Sequence, residues 1–377
     1  MQITKQLKIN RTEQLDKLAH EAGIVYSQTL VYFRRILRKK DIWLTKTSMQ
    51  KLVRNANLQS QTVQGITDIF YDNIASWRQL RKTNPAAKMP KKRRWYFVVP
   101  YKSSAIRVRD GKLILSNGKV SDPLVIDWAF GLPEFVRISF DGKSYVVNAV
   151  YTIETPEVSP IGATAGIDLG EIHLAAANIG EQTVIINGRA LRSKRRYQNK
   201  VKGRFQQRLS KHKKGSRKHR QINRKKKQVL KRIDNQIKDI EHKQTAKLVY
   251  SLRENGVKTA AIGDVRNIRQ NVDYGKEANQ KIHQMPTGKV RAMIEYKCAK
   301  HGIETVVIDE AYSTRTCPKC LKVNAKPKDR NYKCGACGFV YHRDGVGAIN
   351  IRQKQMYREY APVVGVMAPP VGIRYHA

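Results

Sequence analysis

Apolar positions along this chain change period several times, and each change marks an element. Residues 2–9 (QITKQLKI) alternate polar and apolar, the period of a strand with one buried face. Thr12 stands where a helix cap is needed. From Gln14 to Arg81 apolar residues recur at helical spacing, through Leu15, Leu18, Ala22, Val25, Leu30, Phe33, Ile36 and Leu37. The pattern predicts a first long helix, then helices over Thr47–Asn55 and Ser60–Arg81. Pro85, Pro90 and the run Lys91–Arg94 interrupt it. Residues 95–153 then read as strands: YFVVPY, AIRVRDGKLILS, FVRISF, SYVVNAVYTI. Asp110-Gly111, Asn117-Gly118 and Asp141-Gly142 supply short hairpin turns. An antiparallel barrel or sandwich is expected, joined by strand 2–9, with the helical lobe inserted between.

From Ile161 the pattern changes again. GATAGIDLGEIHLAAANI predicts a buried strand and its hairpin partner, and TVIING another strand. Leu209, Ile222, Val229, Leu230, Ile233, Ile237 and Ile240 trace one apolar stripe on long helices, which continue through HKQTAKLVYSLRENG to Gly256. Then follow TAAIGDV (strand), QKIHQMPTGKVRAMIEYKCAKHG (helix) and ETVVIDEAY (strand). Strands alternating with helices predict an α/β sheet. The Pro/Gly-rich end, residues 361–377, reads as a flexible tail.

Charge changes the picture most. The 377 residues carry a formal +43. Charge on that scale is the footprint of a nucleic-acid binder. An anionic membrane surface is the competing partner, but no lipidation signal or basic amphipathic anchor supports it. No acidic residue falls between Glu181 and Asp234, where Lys and Arg are dense. A disordered basic tail would show that composition too, but the apolar stripe favours helices gripping phosphates. Lys194, Arg195, Arg196, Lys202, Arg204, Lys213, Lys214, Arg224, Lys225 and Lys226 are the expected nucleic-acid contacts. In FRRILRKK and its neighbours, the basic faces are either solvated surface or a nucleic-acid-facing lobe. Trp77, Trp95, Tyr96 and Trp128 offer stacking faces, with core packing the plainer role.

Four of five cysteines fall in two Cys-x-x-Cys pairs, Cys317/Cys320 and Cys334/Cys337. Two such knuckles supply four thiolates to one tetrahedral zinc, a closed and therefore structural site. Cys298 lies in a helical run and reads as packed. Metal-binding thiols, no apolar leader segment and no run long enough to span a bilayer predict a cytoplasmic or nucleoid-associated protein.

Acids at the ends of buried strands are the candidate chemistry. Asp168 sits in AGIDLG, Asp309 and Glu310 follow TVVI, Asp344 opens the helix after the ribbon, and Asp264 ends TAAIG. An isolated buried carboxylate is costly unless it is paired or binds a metal. Converging carboxylates can hold two Mg²⁺ ions for phosphodiester cleavage. Taken singly, Asp344 is a helix cap and Asp264 a turn acid; with the charge they predict a metal-dependent nuclease.

GIDLG at Asp168, the CPKC…CGAC ribbon and the closing RDGVGAINI together resemble the TnpB family, transposon-encoded RNA-guided nucleases from which type V CRISPR effectors descend. The resemblance covers most of the chain. It implies a wedge-like β-barrel (1–10 and 88–160), a helical recognition lobe (11–87), an RNase H-like RuvC nuclease domain (161–315 and 339–360) and an inserted zinc ribbon (316–338). It also implies a guide RNA from the transposon end, a double-stranded DNA target beside a short flanking motif, and Mg²⁺-dependent cutting. A monomer is expected. Members of the family carry Asp, Glu and Asp in three motifs. Asp168 and Asp344 match the first and third, but Gly263 stands where the glutamate belongs. Either the protein is a nuclease-inactive, RNA-guided DNA-binding repressor, or another acid has taken that place. Glu310 is the candidate, at the end of the next strand, as in family relatives including Fanzor whose glutamate precedes the ribbon. Val346 and Gly347, in place of Asn-Ala, fit the same subgroup. The catalytic and Mg²⁺-binding set is then Asp168, Glu310 and Asp344.

Overall fold

The computed structural model describes residues 1–93, 95–266, 273, 275–325, 329–363, 365 and 367–375. The chain forms two units, Met1–Glu154 and Thr155–Ala377.

In the first unit, β1 (Gln2–Ile9) leads into α1 (Glu13–Lys40), α2 (Lys46–Leu52) and α3 (Ser60–Thr83). Thr12 caps α1, its hydroxyl accepting from Leu15 N at 3.2 Å. Acids in the first turn and Arg38, Lys39 and Lys40 in the last suit the helix dipole. The apolar stripe Leu15, Leu18, Ala22, Val25, Leu30 and Phe33 is buried, with Phe33 meeting Phe70 of α3 edge-on at 5.4 Å.

Next come β2 (Val99–Lys102), β3 (Ile106–Arg109), β4 (Lys112–Leu115), β5 (Leu124–Asp127), β6 (Phe135–Phe140) and β7 (Tyr145–Thr152). β1 pairs antiparallel with β7 from Gln2↔Thr152 to Ile9↔Tyr145, so strand 2–9 does join these strands across the helical insertion. The strands do not close into the expected barrel. They form one sheet in the order β1-β7-β6-β2 and another in the order β3-β4-β5. The break follows β2, which is four residues long and contains Pro100, a residue without an N–H to donate. A 3₁₀ turn over Ser103–Ala105 then starts a new sheet. Asp110-Gly111 makes the expected tight hairpin, both residues at positive φ (49° and 69°). Asn117-Gly118 does not join strands directly. Gly118 instead lies against the backbone of Ala56 and Asn57, where an added Cβ would fall 1.9 Å from Ala56 O.

The second unit opens with β8 (Ala163–Asp168), β9 (His173–Ile179) and β10 (Gln182–Asn187). Helices α4 (Arg189–Ser210) and α5 (Arg217–Glu254) follow, then β11 (Val257–Gly263), α6 (Lys276–Gln284), α7 (Thr287–Lys300) and β12 (Glu304–Ile308). A small hairpin, β13 (Asn331–Lys333) and β14 (Val340–His342), precedes α8 (Arg343–Tyr357) and β15 (Val371–Ile373). The large sheet runs β12-β11-β8-β9-β10-β15. β8, β9 and β10 are successive antiparallel neighbours, while β11 lies parallel to β8 and β12 parallel to β11.

Alternation along β8 decides what each face does. Ala165 and Ile167 enter the core with Ile240, Leu248, Val290 and Ile294 of α5 and α7. Gly166 and Asp168 face α8. A Cβ at Gly166 would fall 2.1 Å from Ala348 O, so only glycine lets α8 lie this close to the strand. α5 is a single helix of 38 residues whose buried stripe includes Ile222, Ile233, Ile237, Ile240 and Leu248. Cys298 packs in α7, its thiol pushed up to about 12 by burial. Residues 371–373, expected in a flexible tail, form β15 parallel to β10. Side chains fasten the surrounding chain too, with Tyr375 Oη bonded to Asp239 at 3.1 Å and Tyr341 Oη to Ala368 O at 2.8 Å.

Candidate active site and metal ribbon

β8 and β11 end side by side, and β12 ends beside β11 in the register Gly263↔Ile308. Carboxylates gather at these ends. Asp168 is the last residue of β8, crowded by α8: a Cβ at Gly347 would lie 2.4 Å from its Oδ2. Burial, and then Glu310 and Asp344, hold its carboxyl well above the usual range.

Glu310 follows β12 by two residues, and its side chain covers the end of β11. A Cβ built on Gly263 would fall 2.5 Å from Glu310 Oε2 and 2.9 Å from Ile351 Cδ1. The glycine therefore leaves the space that the Glu310 carboxylate fills. Glu310 Oε2 is buried and has no hydrogen-bond partner. Burial pushes this carboxyl up to about 7, helped by Asp264 and Asp309.

Asp344 lies in the first turn of α8 and is buried. Burial alone would raise its pKa. The His173 hydrogen bond and the Arg330 and Arg343 charges overcome that and hold it at about 2. His173 Nδ1 is 2.7 Å from Asp344 Oδ2, and Arg330 spans both carboxylate oxygens at 2.8 and 3.0 Å.

The other two strand-end acids are engaged elsewhere. Asp264 is bound by Arg266 Nε at 2.8 and 2.9 Å, with Arg291 at 3.7 Å. Asp309 has a side chain 74 % exposed and pairs with Lys354 at 3.1 Å.

Asp168 lies within electrostatic reach of Glu310 and Asp344, and Glu310 carries an orphaned buried oxygen, a donor set that suits a hard divalent cation. Among the described residues, the ligand atoms found here within 4.8 Å of one another are those of His173, His342 and Asp344. Asp168, Glu310 and Asp344 are the residues that would hold such a cation.

Between Glu310 and Asp344 the chain makes the ribbon. The Sγ atoms of Cys317, Cys320, Cys334 and Cys337 all lie within 4.8 Å of one another. Cys317–Cys337 and Cys320–Cys334 are separated by 3.5 and 3.6 Å. Tetrahedral thiolates around one zinc stand about 3.8 Å apart, given Zn–S bonds of about 2.3 Å, so the four fit one ion. Burial works to raise the Cys334 thiol, but N–H groups of Cys337 and Ala336 bring it down to about 6. Tyr332 is buried beneath the knuckles and bonds Asn324 at 2.7 Å. Part of the Lys-rich ribbon loop, 326–328, lies outside the described residues.

Along α4 and α5, Arg196, Lys202, Arg204, Arg224 and Lys225 are exposed, as are Lys213 and Lys214 in the connection between the two helices, and Lys194 and Lys226 are half-buried. Arg195 differs. It turns inward to the fully buried Glu241 at 2.6 Å and to the Gln284 carbonyl, and Lys289 is Glu241's second partner. It is held in an ion pair with a buried partner and lines the same cavity as Arg196. Arg189, Arg192, Arg196 and Lys200 line a cavity of 520 Å³ together with Gly170 and Glu171, just past Asp168.

Of the aromatics, Trp128 is buried, Trp77 donates to Ala87 O at 3.0 Å, Trp95 is exposed and stacks on His20, and Tyr96 stacks on Phe140.

His173, His342 and Arg330 belong to the site without having been expected there. The one signal in the sequence for His173 is its position at the start of the hairpin partner of the Asp168 strand. Arg330 carries none.

Two family descriptions match the chain: "Probable transposase" over residues 148–269 and "Cas12f1-like, TNB domain" over residues 288–351. A relative from Streptomyces pristinaespiralis, named "Putative RNA-guided DNA endonuclease", is 35% identical over 290 residues, spanning 74% of this chain and 67% of that protein. TnpB-like protein MJ0751 of Methanocaldococcus jannaschii is 26% identical over 120 residues, 32% of this chain and 43% of that one. The fold is similar to that of Cas12f1 in its complex with sgRNA and target DNA (TM-score 0.59, 14% identity, 90% of this chain and 82% of that chain). It is also similar to a mini-RNA-guided endonuclease, CRISPR-Cas_phi3 (TM-score 0.50, 10% identity, 97% and 93%). The strand-end acids, the four-cysteine ribbon and the similarity to the Streptomyces relative agree: this chain belongs to the TnpB family of transposon-encoded RNA-guided nucleases.

Proposed function

We propose that the protein is an RNA-guided, Mg²⁺-dependent DNA endonuclease that cuts double-stranded DNA beside a short flanking motif. Asp168, Glu310 and Asp344 are its catalytic carboxylates, in the subgroup with a relocated glutamate. The observation that carries this reading is the Glu310 carboxylate lying over Gly263. The sheet order, with antiparallel β8, β9 and β10 extended by parallel β11 and β12 on one side and by parallel β15 on the other, supports an RNase H-like (RuvC) nuclease domain.

Two divalent cations, when bound, supply an activated water and stabilise the leaving oxygen. Asp168 presents its carboxylate from the end of β8 and Glu310 from just past β12, on either side of the β11 end, and Asp344 presents its own from α8. Metal ligation requires the carboxylate form, so a cation held at Glu310 would be favoured with the proton of that carboxyl gone. The ribbon cysteines hold a structural zinc. The exposed cations of α4 and α5 hold guide RNA and heteroduplex through phosphates. The unit Met1–Glu154, the helical lobe and its sheets, reads the flanking DNA motif.

A nuclease-inactive repressor is the second reading, prompted by Gly263. The retained Asp168 and Asp344, and a third carboxylate in the vacated space, weigh against it. The test is to purify the protein with its bound RNA, sequence that RNA, and supply matched plasmid with Mg²⁺. Cleavage that disappears in both Asp168→Ala and Glu310→Ala supports the endonuclease. Guide-directed binding without cleavage by the unaltered protein supports the repressor.

A further inference from the structure

Asp344 receives three cationic or donor side chains, and they differ in what anchors them. Arg330 belongs to the ribbon, immediately before β13, with a side chain 34 % exposed. Arg343 precedes Asp344 in the chain and reaches it at a longer 3.4 Å. His173 is the first residue of β9, inside the large sheet, and its side chain is only 12 % exposed. β9 pairs with β8 over Ala176–Ile179 and with β10 as far as Asn187↔His173, after a register shift, so the imidazole stands at the end of a central strand, paired on its β10 side.

We propose that His173 is a positioning residue for the cation site, its Nδ1–H fixing the Asp344 carboxylate in the orientation that ligates the metal. This rests on the reading of Asp168, Glu310 and Asp344 as cation ligands. An ionised carboxylate can only accept hydrogen bonds, so the Nδ1 facing Asp344 Oδ2 at 2.7 Å carries the proton. That bond occupies one lone pair of Oδ2; with Arg330 displaced by a cation, it and the longer 3.4 Å contact of Arg343 to Oδ1 are what orient the carboxylate. Arg330 and a divalent cation compete for the same carboxylate oxygens, whereas His173 binds one edge of Oδ2 from the sheet and leaves the rest of the carboxylate open. Hydrogen bonds of this kind to metal ligands orient them, and their loss costs about 10–100-fold in metal affinity. His342 lies with its ring 5.1 Å from that of His173, and its ring nitrogen, that of His173 and the Asp344 carboxylate lie within 4.8 Å of one another.

The test is Mn²⁺ binding by the zinc-loaded, full-length protein, followed by electron paramagnetic resonance, with His173→Ala, His173→Asn and the ligand variants Asp168→Ala and Glu310→Ala. His173→Ala is expected to weaken Mn²⁺ binding at the site about 10–100-fold. His173→Asn, whose amide N–H can take the place of Nδ1–H, is expected to recover most of that loss. Both His173 variants should keep the zinc content and melting temperature of the unaltered protein. Unchanged Mn²⁺ affinity in His173→Ala overturns the proposal, provided the ligand variants do lose the site. Equal weakening in His173→Ala and His173→Asn, together with a lowered melting temperature, also overturns it by showing a packing role. If Asp168→Ala and Glu310→Ala bind Mn²⁺ like the unaltered protein, the underlying assignment of the cation site fails instead.

Discussion

The Glu310 carboxylate fills the volume that a side chain at Gly263 would occupy, with Oε2 2.5 Å from the position of the Cβ that glycine lacks. A side chain at Gly263 would therefore have to displace the Glu310 carboxylate from where it lies. One strand end gives up its side chain so that the neighbouring strand can place a carboxylate there. Gly263→Glu in the otherwise unaltered protein should abolish cleavage and lower the melting temperature, because the added Cβ meets Glu310. In Glu310→Ala the space opens. The double variant Gly263→Glu/Glu310→Ala should regain cleavage over Glu310→Ala alone, measured on matched plasmid.

Glu310 titrates at about 7, above the 4.5 of an unburied glutamate. Between those values the folded, cation-free protein holds a proton that the unfolded chain has released. Glu310 thus contributes stability below pH 4.5 that is lost as pH rises through about 7. Melting temperature in chelator should fall over that interval, and Glu310→Gln should flatten the fall. Divalent-cation affinity should move the other way, rising with pH by up to about tenfold per unit below 7 for the one proton released.

Zinc analysis should find one ion per chain. Cys317→Ser or Cys334→Ser should lose it and melt the ribbon. Arg330 sits four residues before Cys334 and bonds Asp344, so the same variants should alter cation binding as well as zinc content. Cysteine variants with unchanged melting and cleavage would contradict the structural role.

The basic helices divide into surface and interior. Replacing exposed Lys213, Lys214, Arg224 and Lys225 by alanine should weaken RNA binding without altering melting. The slope of log affinity against log salt should fall by about 0.7 for each single-strand phosphate that the protein no longer neutralises. Arg195→Ala should behave differently, because Glu241 is fully buried and keeps only Lys289. Breaking a buried pair costs about 3–5 kcal/mol, so the expected effect is a lower melting temperature.

Periodicity made most of the helices and strands legible: the Thr12 cap, the α5 stripe and the long-range pairing of residues 2–9 all follow from it. Barrel closure was not legible, because strand runs do not show which edges hydrogen-bond, and the short Pro100 strand ends its sheet. The β15 strand was hidden in Pro/Gly-rich sequence because its pairing with β10 is supplied by the fold. The ribbon was legible because Cys-x-x-Cys geometry is local. Asp168, Glu310 and Asp344 could be named from strand-end position and family pattern. The space at Gly263 could not, since it depends on the register of two parallel strands. Arg195 carries the same charge as its neighbours, and only burial of Glu241 distinguishes it. His173 needed the hairpin and α8 together before its partner was visible.

Whether Glu310 serves as the catalytic glutamate is decided by single-turnover cleavage of matched plasmid. The purified protein–RNA complex is used, comparing the unaltered protein with Glu310→Gln at saturating Mg²⁺, and DNA binding is followed in the same samples. Guide-directed binding is expected at full strength, with cleavage slower on the order of 10³-fold, the scale of losing one charge-stabilising group. Cleavage by Glu310→Gln at the unaltered rate would contradict a catalytic Glu310.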